Sequence, residues 1–353
     1  MRDKKFLIRL FVSHLYIAYR NITLTNFHSF LSLFRSPVQR VLPLLIILLL
    51  AACQQKQSSF SAEELNKQDQ QVLHVAVLPI MECLPLYYAQ QMGLFNTEDV
   101  DIALQTYLSQ MDCDTAILRG QVEVACGDVV RTLLMPEAIH LLSSMDGKLS
   151  LITAKSKRIR QIKHLDERMV AIDRFSQTDY WSDELMKQAG LDLSAIYRPQ
   201  INDIQLRTSM LTEQLVDAAL LPEPYATLAV MKGNRRLFVS NDSALSFSCF
   251  IASDSILSDT MRIHQIQKLF AIYDKAVELL NSDQRNNDSL HILLCQQYSI
   301  PAELADSIKI PCFHKLSKIK SKDLDNICQW LETRERYVTS QRRDSLCNNL
   351  FVQ

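Results

Sequence analysis

Short apolar runs alternate with helix-like segments from residue 72 onwards, and this alternation restricts the fold more than any other feature. Strands are predicted at the apolar runs Val72–Leu78, Val100–Leu104, Val122–Cys126, Leu149–Thr153 and Met169–Asp173. Segments with helix signals, such as Leu84–Phe95 and Thr178–Ala189, separate these runs. Strands that alternate with helices are typical of βαβ units, in which parallel strands share a sheet. The sequence therefore predicts an α/β fold.

The alternation continues to about residue 252, and helices follow. Further strands are predicted at Asp217–Leu221, Leu237–Val239 and Phe247–Ala252, and in part of Gln205–Leu211. Apolar residues recur at helical spacing within 260–282, which predicts a long helix there. Another helix is predicted over 322–336, and the polar segment 337–353 is expected to fray.

The N-terminal segment carries the marks of a signal peptide. Basic residues precede an apolar run of about a dozen residues, Val41–Ala52, which ends at Cys53 and is followed by a Gln/Ser-rich stretch. This run is shorter than the roughly 20 residues that cross a bilayer. Leu50-Ala51-Ala52-Cys53 resembles a bacterial lipobox, which implies cleavage before Cys53 and lipidation of its sulfur. The alternative is a buried N-terminal helix that ends at an ordinary cysteine.

We therefore predict a lipoprotein signal peptide at 1–52 and a flexible tether at 53–71. The mature protein is expected in the cell envelope, anchored to a membrane through acyl chains on Cys53 and facing the periplasm or the cell surface. Whether residues 1–40 belong to the natural gene product stays open, because an n-region of this length also fits an overextended gene start.

Charge is distributed unevenly between these two parts. Residues 1–40 contain seven Lys and Arg residues and one acid, whereas the whole chain carries a net charge of −1. The segment after the signal peptide is therefore acidic. An acidic domain argues against nucleic acid as a partner, because binding phosphates needs a basic surface.

Cysteine spacing and motifs exclude several classes of site. The eight cysteines other than Cys53 form no C-x-x-C pair, so no zinc ribbon or thioredoxin-type redox site is indicated. Disulfides in the late group Cys295, Cys312, Cys328 and Cys347 and free buried cysteines are both left open. No H-E-x-x-H, G-x-S-x-G or Walker motif is present. We expect no metal, no cofactor and no enzymatic activity.

Three motifs resemble type II periplasmic substrate-binding proteins, in particular the group that binds thiamine precursors and alkanesulfonates. Leu86–Phe95 is similar to the first helix of that group, and Leu118–Ala125 is similar to its turn into the third strand, with Glu123 where Asp is usual. Asp217–Ala226, which contains Glu223-Pro224, is similar to its D-A-x-x-x-x-E-P segment. The order and spacing of these motifs carry the resemblance, which covers about residues 72–330.

The resemblance implies a two-lobe periplasmic-binding-protein type II fold with the ligand cleft between the lobes. Lobe one would comprise 72–150 plus 245–353, lobe two 151–244, and the two crossings near Gly147 and Ser243 would form the hinge. It also implies a monomeric substrate-binding component of an ABC importer, whose partners are a small-molecule ligand and an ABC permease. The alternatives are a scaffold lipoprotein that lost its ligand and a biosynthetic enzyme on the same fold.

Ligands of open α/β sheets bind beyond the carboxyl ends of the strands, and this rule selects the candidate residues. The candidate contacts are Pro79, Glu82, Tyr88, Asp128, Ser176, Gln177, Thr178, Glu223 and Tyr225. Asp128 and Thr178 have an alternative role as helix caps, and Glu223 an alternative role in fixing the hinge. For Cys83 as a nucleophile, His74 or His140 would have to approach it in space.

Aromatic residues near predicted helix starts indicate the class of ligand. They are Tyr87, Tyr88, Tyr180, Trp181 and Tyr225. Aromatic rings with acids around them suit a heterocyclic or amine-containing ligand, through stacking and cation–π contacts. Arg174 argues for an anion instead. Each ring has an alternative role in the core.

Overall fold

A computed structural model describes residues 72–97, 100–240, 245, 247–282, 285–347 and 351–352. The predicted signal peptide, Cys53, the tether and Ser243 lie outside the described residues. Within the described ranges, no helix combines the length and the apolar character needed to cross a bilayer.

The described residues form strands and helices in alternation up to β9 and mainly helices after it. The strands are β1 Leu73–Val77, β2 Ile102–Thr106, β3 Val124–Asp128, β4 Ile139–Ser144, β5 Leu149–Thr153, β6 Val170–Ala171, β7 Ala218–Pro222, β8 Arg235–Val239 and β9 Ser248–Ser253. The α-helices are α1 Leu84–Gln91, α2 Leu94–Thr97, α3 Gln110–Leu118, α4 Val129–Leu133, α5 Gln177–Gln188, α6 Ile204–Thr212, α7 Tyr225–Met231, α8 Asp254–Leu257, α9 Thr260–Asn281, α10 Asn287–Gln296, α11 Ala302–Ala305, α12 Ser321–Thr333 and α13 Ser340–Ser345. Short 3₁₀ helices lie at Met81–Cys83, Lys155–Lys157, Ile162–Leu165 and Leu193–Ala195.

A five-stranded sheet is built from strands at both ends of the described chain. Its order is β2-β1-β3-β9-β4; β1 runs parallel to β2 and β3, whereas β9 is antiparallel to both of its neighbours. All residues of β3 are buried, as expected for a strand covered by helices on both faces. Helix α9, which is capped by the Asp259 side chain, packs against α1 on this sheet.

A four-stranded sheet is built from the residues between the two parts of the first. Its order is β6-β7-β5-β8, with β6 parallel to β7 and β5 antiparallel to both β7 and β8. The chain enters this sheet between Ser144 and Leu149 and leaves it between Val239 and Ser248. The two sheets are thus joined by two crossings, and the predicted lobe limits stay predictions.

A buried cluster of charges also connects the two parts. Asp183 on α5 is fully buried and accepts hydrogen bonds from Trp330 Nε1 at 2.9 Å, Arg334 Nε at 2.8 Å and Arg198 Nη2 at 2.9 Å. Trp330 and Arg334 come from α12 and the residue that caps it, which follow β9 in the sequence. Helix α12 also packs against α4. It therefore contacts elements that belong to both sheets.

The α/β prediction is confirmed, two local expectations are wrong, and one strand was missed. Gln205–Leu211 is helical, because the Asp203 side chain accepts from Leu206 N at 2.8 Å and caps α6. Strand β4 was not predicted. The segment 337–353 contains α13, where the buried Arg342 donates to Ile139 O at 2.8 Å and is held by contacts that are distant in sequence.

We expect Asp183→Ala to lower the free energy of unfolding by about 3–5 kcal/mol, because two arginines would lose the carboxylate that neutralises them in a largely buried site. Urea unfolding followed by circular dichroism measures the change. Lys187→Ala is the matched control on the same helix. Among the described residues Lys187 pairs with Glu184, and its side chain is 47% exposed, so a change within about 0.5 kcal/mol is expected. A loss below 1 kcal/mol in Asp183→Ala would contradict this role.

Candidate ligand-binding cleft

The carboxyl ends of strands from both sheets meet at the two crossings. β1 and β3 of the five-stranded sheet and β6 and β7 of the four-stranded sheet all end there. Two adjoining spaces lie between these ends, and the residues Glu82, Met145, Gln177 and Ser248 line both of them. We call them the inner slot, of about 50 Å³, and the outer cavity, of about 700 Å³.

Glu82 lies in the wall shared by the slot and the cavity. It belongs to the 3₁₀ turn Met81–Cys83 that follows β1, and it is 4% exposed. The pKa of Glu82 is raised to about 8, mainly by burial and also by the carboxylates of Glu223 and Asp146, whereas the backbone N–H groups of Glu82 and Lys148 oppose the shift. Its Oε2 atom has no hydrogen-bond partner among the described residues.

Asp128, at the end of β3, connects the two sheets across the slot. Its Oδ1 accepts from Val130 N at 2.8 Å and caps α4, and its Oδ2 accepts from Gln177 N at 2.8 Å. Burial raises the pKa of Asp128 to about 7, against the effect of the Gln177 N–H group. The Asp128 carboxylate thus occupies the N-terminus of α5, beside the candidate contacts Ser176, Gln177 and Thr178.

The side chains of Ser176 and Thr178 form hydrogen bonds mainly with backbone groups. Ser176 Oγ accepts from Thr178 N at 3.1 Å and is the N-cap of α5, a role that the sequence analysis gave to Thr178. Thr178 Oγ1 accepts from Asp173 N at 2.8 Å. Both residues line the slot, and Gln177 lines the slot and the cavity.

Arg131 lies beside the slot and forms ion pairs with acids from both sides of it. It pairs with Asp114, lies 3.5 Å from Asp173 Oδ1, and donates to Arg174 O at 3.3 Å. The buried Arg207 also faces the slot and donates to Ile201 O at 3.0 Å. The Arg174 side chain is exposed and lines a separate groove on the four-stranded sheet.

Glu223 lines the outer cavity, but its carboxylate has partners within the protein. Its Oε1 lies 2.8 Å from Arg236 Nη2, and its Oε2 accepts from Thr227 N at 3.0 Å. Its carbonyl oxygen accepts from Met81 N at 2.9 Å and so connects the ends of β7 and β1. This geometry favours the alternative role of Glu223, which is to fix the junction between the sheets.

Three predicted contacts lie outside both spaces, and the expectation that they line the cleft is wrong. Tyr88 is fully buried and its hydroxyl accepts from Asn286 N at 2.9 Å. Tyr225 is 1% exposed, and its hydroxyl accepts a hydrogen bond from Gln205 Nε2 at 3.4 Å. Pro79 is buried, and Leu78 and Ile80 beside it face the slot instead.

Much of the cavity wall was not predicted from the sequence. This part comes from the crossings and from the segment between α11 and α12: Asp146, Gly147, Lys148, Phe247, Lys309, Phe313, His314 and Lys320. Trp181, which was expected near the cleft, does line the cavity, whereas Tyr180 packs against Trp330 in the core at 5.5 Å between ring centroids. The strand-end rule selects residues at strand ends, so it could not predict that the segment between α11 and α12 lines the cavity.

The cysteines and histidines form no catalytic arrangement within the described ranges. Cys83 is buried with its Sγ 3.3 Å from Cys126 Sγ, and all eight described cysteines are free. His74 pairs with Glu123 and His140 with Asp254, and no hydrogen bond joins either of them to Cys83 in the described structure. No group of three or more His, Cys, Asp or Glu side chains in this part of the chain has the arrangement of a metal site.

A sequence profile described as NMT1/THI5 like matches residues 81–257, half of the chain. The chain belongs to the NMT1/THI5-like family. The matched range contains both crossings and every strand except β1. No curated protein sequence matches the chain.

Several solved structures have the same fold as this chain. The periplasmic aliphatic sulphonate binding protein SsuA from Escherichia coli has a TM-score of 0.65 and 15% identity, over 80% of this chain and 94% of that chain. The periplasmic nitrate-binding protein NrtA from Synechocystis has a TM-score of 0.64 and 10% identity, over 78% and 85%. A ligand-binding component of an ABC-type import system from Staphylococcus aureus, with zinc bound, has a TM-score of 0.66 and 16% identity, over 79% and 97%. The predicted two-lobe fold is confirmed.

We expect Glu82→Gln to stabilise the protein more at pH 8 than at pH 5. Between about pH 4.5 and 8 the unfolded chain releases a proton that the folded protein keeps on Glu82, so wild-type stability falls as the pH rises through this window. Glutamine removes this effect. The free energy of unfolding of the variant should exceed that of the wild type by about 2–4 kcal/mol at pH 8 and by much less at pH 5.

Urea titrations at the two pH values measure this difference. Glu303→Gln, which changes an exposed acid on α11, is the control and should show the same stability as the wild type at both pH values. Equal effects of Glu82→Gln at pH 5 and pH 8 would show that the carboxyl is not held in its neutral form.

Proposed function

We propose that this protein is the substrate-binding component of an ABC importer. The observation that carries the proposal is the outer cavity of about 700 Å³, which lies between the two sheets with both crossings in its wall. A cavity of this size holds a small organic molecule and is typical of ligand sites between lobes. Membership in the NMT1/THI5-like family and the fold shared with binding proteins support the assignment.

Capture would occur by closure of the lobes around the ligand. Two crossings join the sheets, which suits a hinge motion, and the lobes are taken as 72–150 plus 245–353 and 151–244. The hydrogen bond from Gln177 N to Asp128 Oδ2 and the ion pair between Arg131 and Asp173 join the two sides of the slot and would separate if the lobes opened. A ligand drives closure only if it binds the closed state more tightly than the open one.

We propose a small heterocyclic or amine-containing solute. The cavity combines aromatic walls, Trp181, Phe247 and Phe313, with the acids Glu82 and Asp146. Such walls suit a flat ring or a cation, whereas polar groups at fixed positions orient it. The protein would act as a monomer without cofactor or catalytic activity, and would deliver the solute to a permease.

Lipid anchoring through Cys53 is part of the same proposal. A signal peptide at 1–52 and a tether at 53–71 would place the folded part in the cell envelope, facing the periplasm or the cell surface, on a membrane that it does not span.

A scaffold that has lost its ligand is the second candidate, and the inner slot favours it. The slot holds only about 50 Å³, because Asp128 bonds to Gln177 across it. A biosynthetic enzyme is a weaker candidate, since Cys83 faces another buried thiol and contacts neither His74 nor His140.

A ligand screen separates these candidates. We expect at least one class among thiamine precursors, flavins, amines, sulfonates and amino acids to raise the melting temperature of the full-length protein, because a ligand that binds only the folded state stabilises it by about 2.7 kcal/mol at a hundred times its Kd. Differential scanning fluorimetry with isothermal calorimetry measures the effect. No shift for any class, with the protein folded, would favour the scaffold.

We expect Cys53→Ala to release the protein from membranes, because alanine has no sulfur to carry the lipid. Fractionation of cells, with labelled fatty acid to follow acylation, measures the outcome. Cys312→Ala replaces an exposed cysteine of the folded part and should stay membrane-bound and labelled. A membrane-bound, labelled Cys53→Ala protein would rule out the lipobox.

A further inference from the structure

Glu82 is a buried acid without a counter-charge of its own. Its side chain is 4% exposed, and its Oε2 atom has no hydrogen-bond partner in the described structure. Leaving a carboxylate oxygen unpaired in a buried site costs free energy, so most such groups in proteins are paired. An unpaired one in the wall shared by the slot and the cavity indicates that a ligand completes it.

The charged groups around Glu82 are engaged elsewhere or repel a carboxylate. Those that face the cavity are Asp146, Lys148, Glu223, Arg236, Lys309, His314, Lys315 and Lys320. Arg236 pairs with Glu223 at 2.8 Å, His314 with Asp146 at 3.0 Å, and Lys315 with Glu278 at 2.6 Å.

None of the remaining groups forms an ion pair with Glu82 among the described residues. Lys148 supplies a backbone N–H, and the exposed Lys309 and Lys320 lie on the segment between α11 and α12. From α9, Tyr273 donates its hydroxyl to the Glu82 carbonyl oxygen at 3.4 Å and not to the carboxylate. The carboxylates of Asp146 and Glu223 raise the pKa of Glu82 in addition to burial.

The surfaces next to Glu82 leave room for a close approach and suit an organic cation. A Cβ atom on Gly147 would lie 3.1 Å from Glu82 Oε1 and 2.6 Å from Ser248 Oγ, so any side chain there would crowd the acid. Trp181, Phe247 and Phe313 line the cavity. A cation over an aromatic face gains attraction in addition to its ion pair.

We propose that Glu82 is the specificity-determining residue of the cleft and selects a small organic cation, whose protonated nitrogen binds Glu82 Oε2 while its body lies against the aromatic walls. The inference rests on the proposed function, because it names the class of solute that the binding protein takes. Glu223, another candidate acid of the cleft, is already neutralised by Arg236.

Binding of such a ligand is coupled to a proton. Burial raises the pKa of Glu82 to about 8, so the carboxyl is neutral near pH 7 until a cation stabilises its ionised form. Each binding event then releases close to one proton at pH 7. As the pH increases towards 8, the affinity for the cation should rise by up to about tenfold for each pH unit. Above pH 8 the affinity should level off.

The test uses the full-length protein and sets of probes that share one skeleton and differ in charge. Phenethylamine, 2-phenylethanol and phenylacetate form one set, and cyclohexylmethylamine, cyclohexylmethanol and cyclohexanecarboxylate form another. Calorimetry at pH 7 in two buffers with different heats of ionisation gives the affinity and the number of protons released. Wild type, Glu82→Gln and the control Glu303→Gln are compared.

We expect the amine of a set to bind wild type and Glu303→Gln with proton release, and to bind Glu82→Gln on the order of 30-fold more weakly without it. The infrared band of a protonated carboxyl should be present in the wild type at pH 7, decrease on binding, and be weaker in Glu82→Gln. Because this variant should be more stable than the wild type, misfolding cannot account for the loss.

Other outcomes separate this inference from the proposed function. Binding of the alcohols or carboxylates in preference to the amines, or amine binding that Glu82→Gln leaves unchanged, would overturn the role of Glu82 while a binding protein remains. Absence of binding by every probe and by every class in the wider screen would overturn both.

Discussion

The position of β9 is the constraint on which the rest of the structure depends. This strand lies between β3 and β4, is buried over most of its length, and pairs antiparallel with both. Because it follows the four-stranded sheet in the sequence, the chain must cross to that sheet and return. Two crossings at one edge bring the ends of β1, β3, β6 and β7 together, and the cleft is the space that this connectivity leaves between them. Helix α12 also joins the two parts of the structure. It follows β9 in the sequence, and its Trp330 donates a hydrogen bond to Asp183 on α5.

Many of the strands and strand ends could be predicted from the sequence. Apolar runs predicted β1, β3, β5 and β7, and the strand-end rule placed Glu82, Asp128 and Glu223 beside the cleft. It failed for Tyr88 and Tyr225. Successive residues of a helix point about 100° apart, so a residue near the start of a helix can face the core as readily as the ligand.

What could not be predicted depends on contacts that are distant in sequence. Whether Glu223 is available to a ligand is decided by Arg236 on β8, and the environment of Glu82 is decided by the crossing at Asp146–Lys148 and by the segment that contains His314. A strand such as β4, with two serines and a histidine, has too weak an apolar pattern to be found without its partner β9. The protonation of the site is therefore a property of the fold and not of any local motif.

The hydrogen bond between Asp128 and Gln177 has a consequence for which molecules the protein ignores. A dissolved anion that seeks the N-terminus of α5 competes with a carboxylate that belongs to the same chain. The effective concentration of such a tethered group reaches the millimolar range or above, whereas many free solutes are scarcer. Asp128 thus acts as an intramolecular competitor of dissolved anions for the N-terminus of α5 whenever this hydrogen bond is formed.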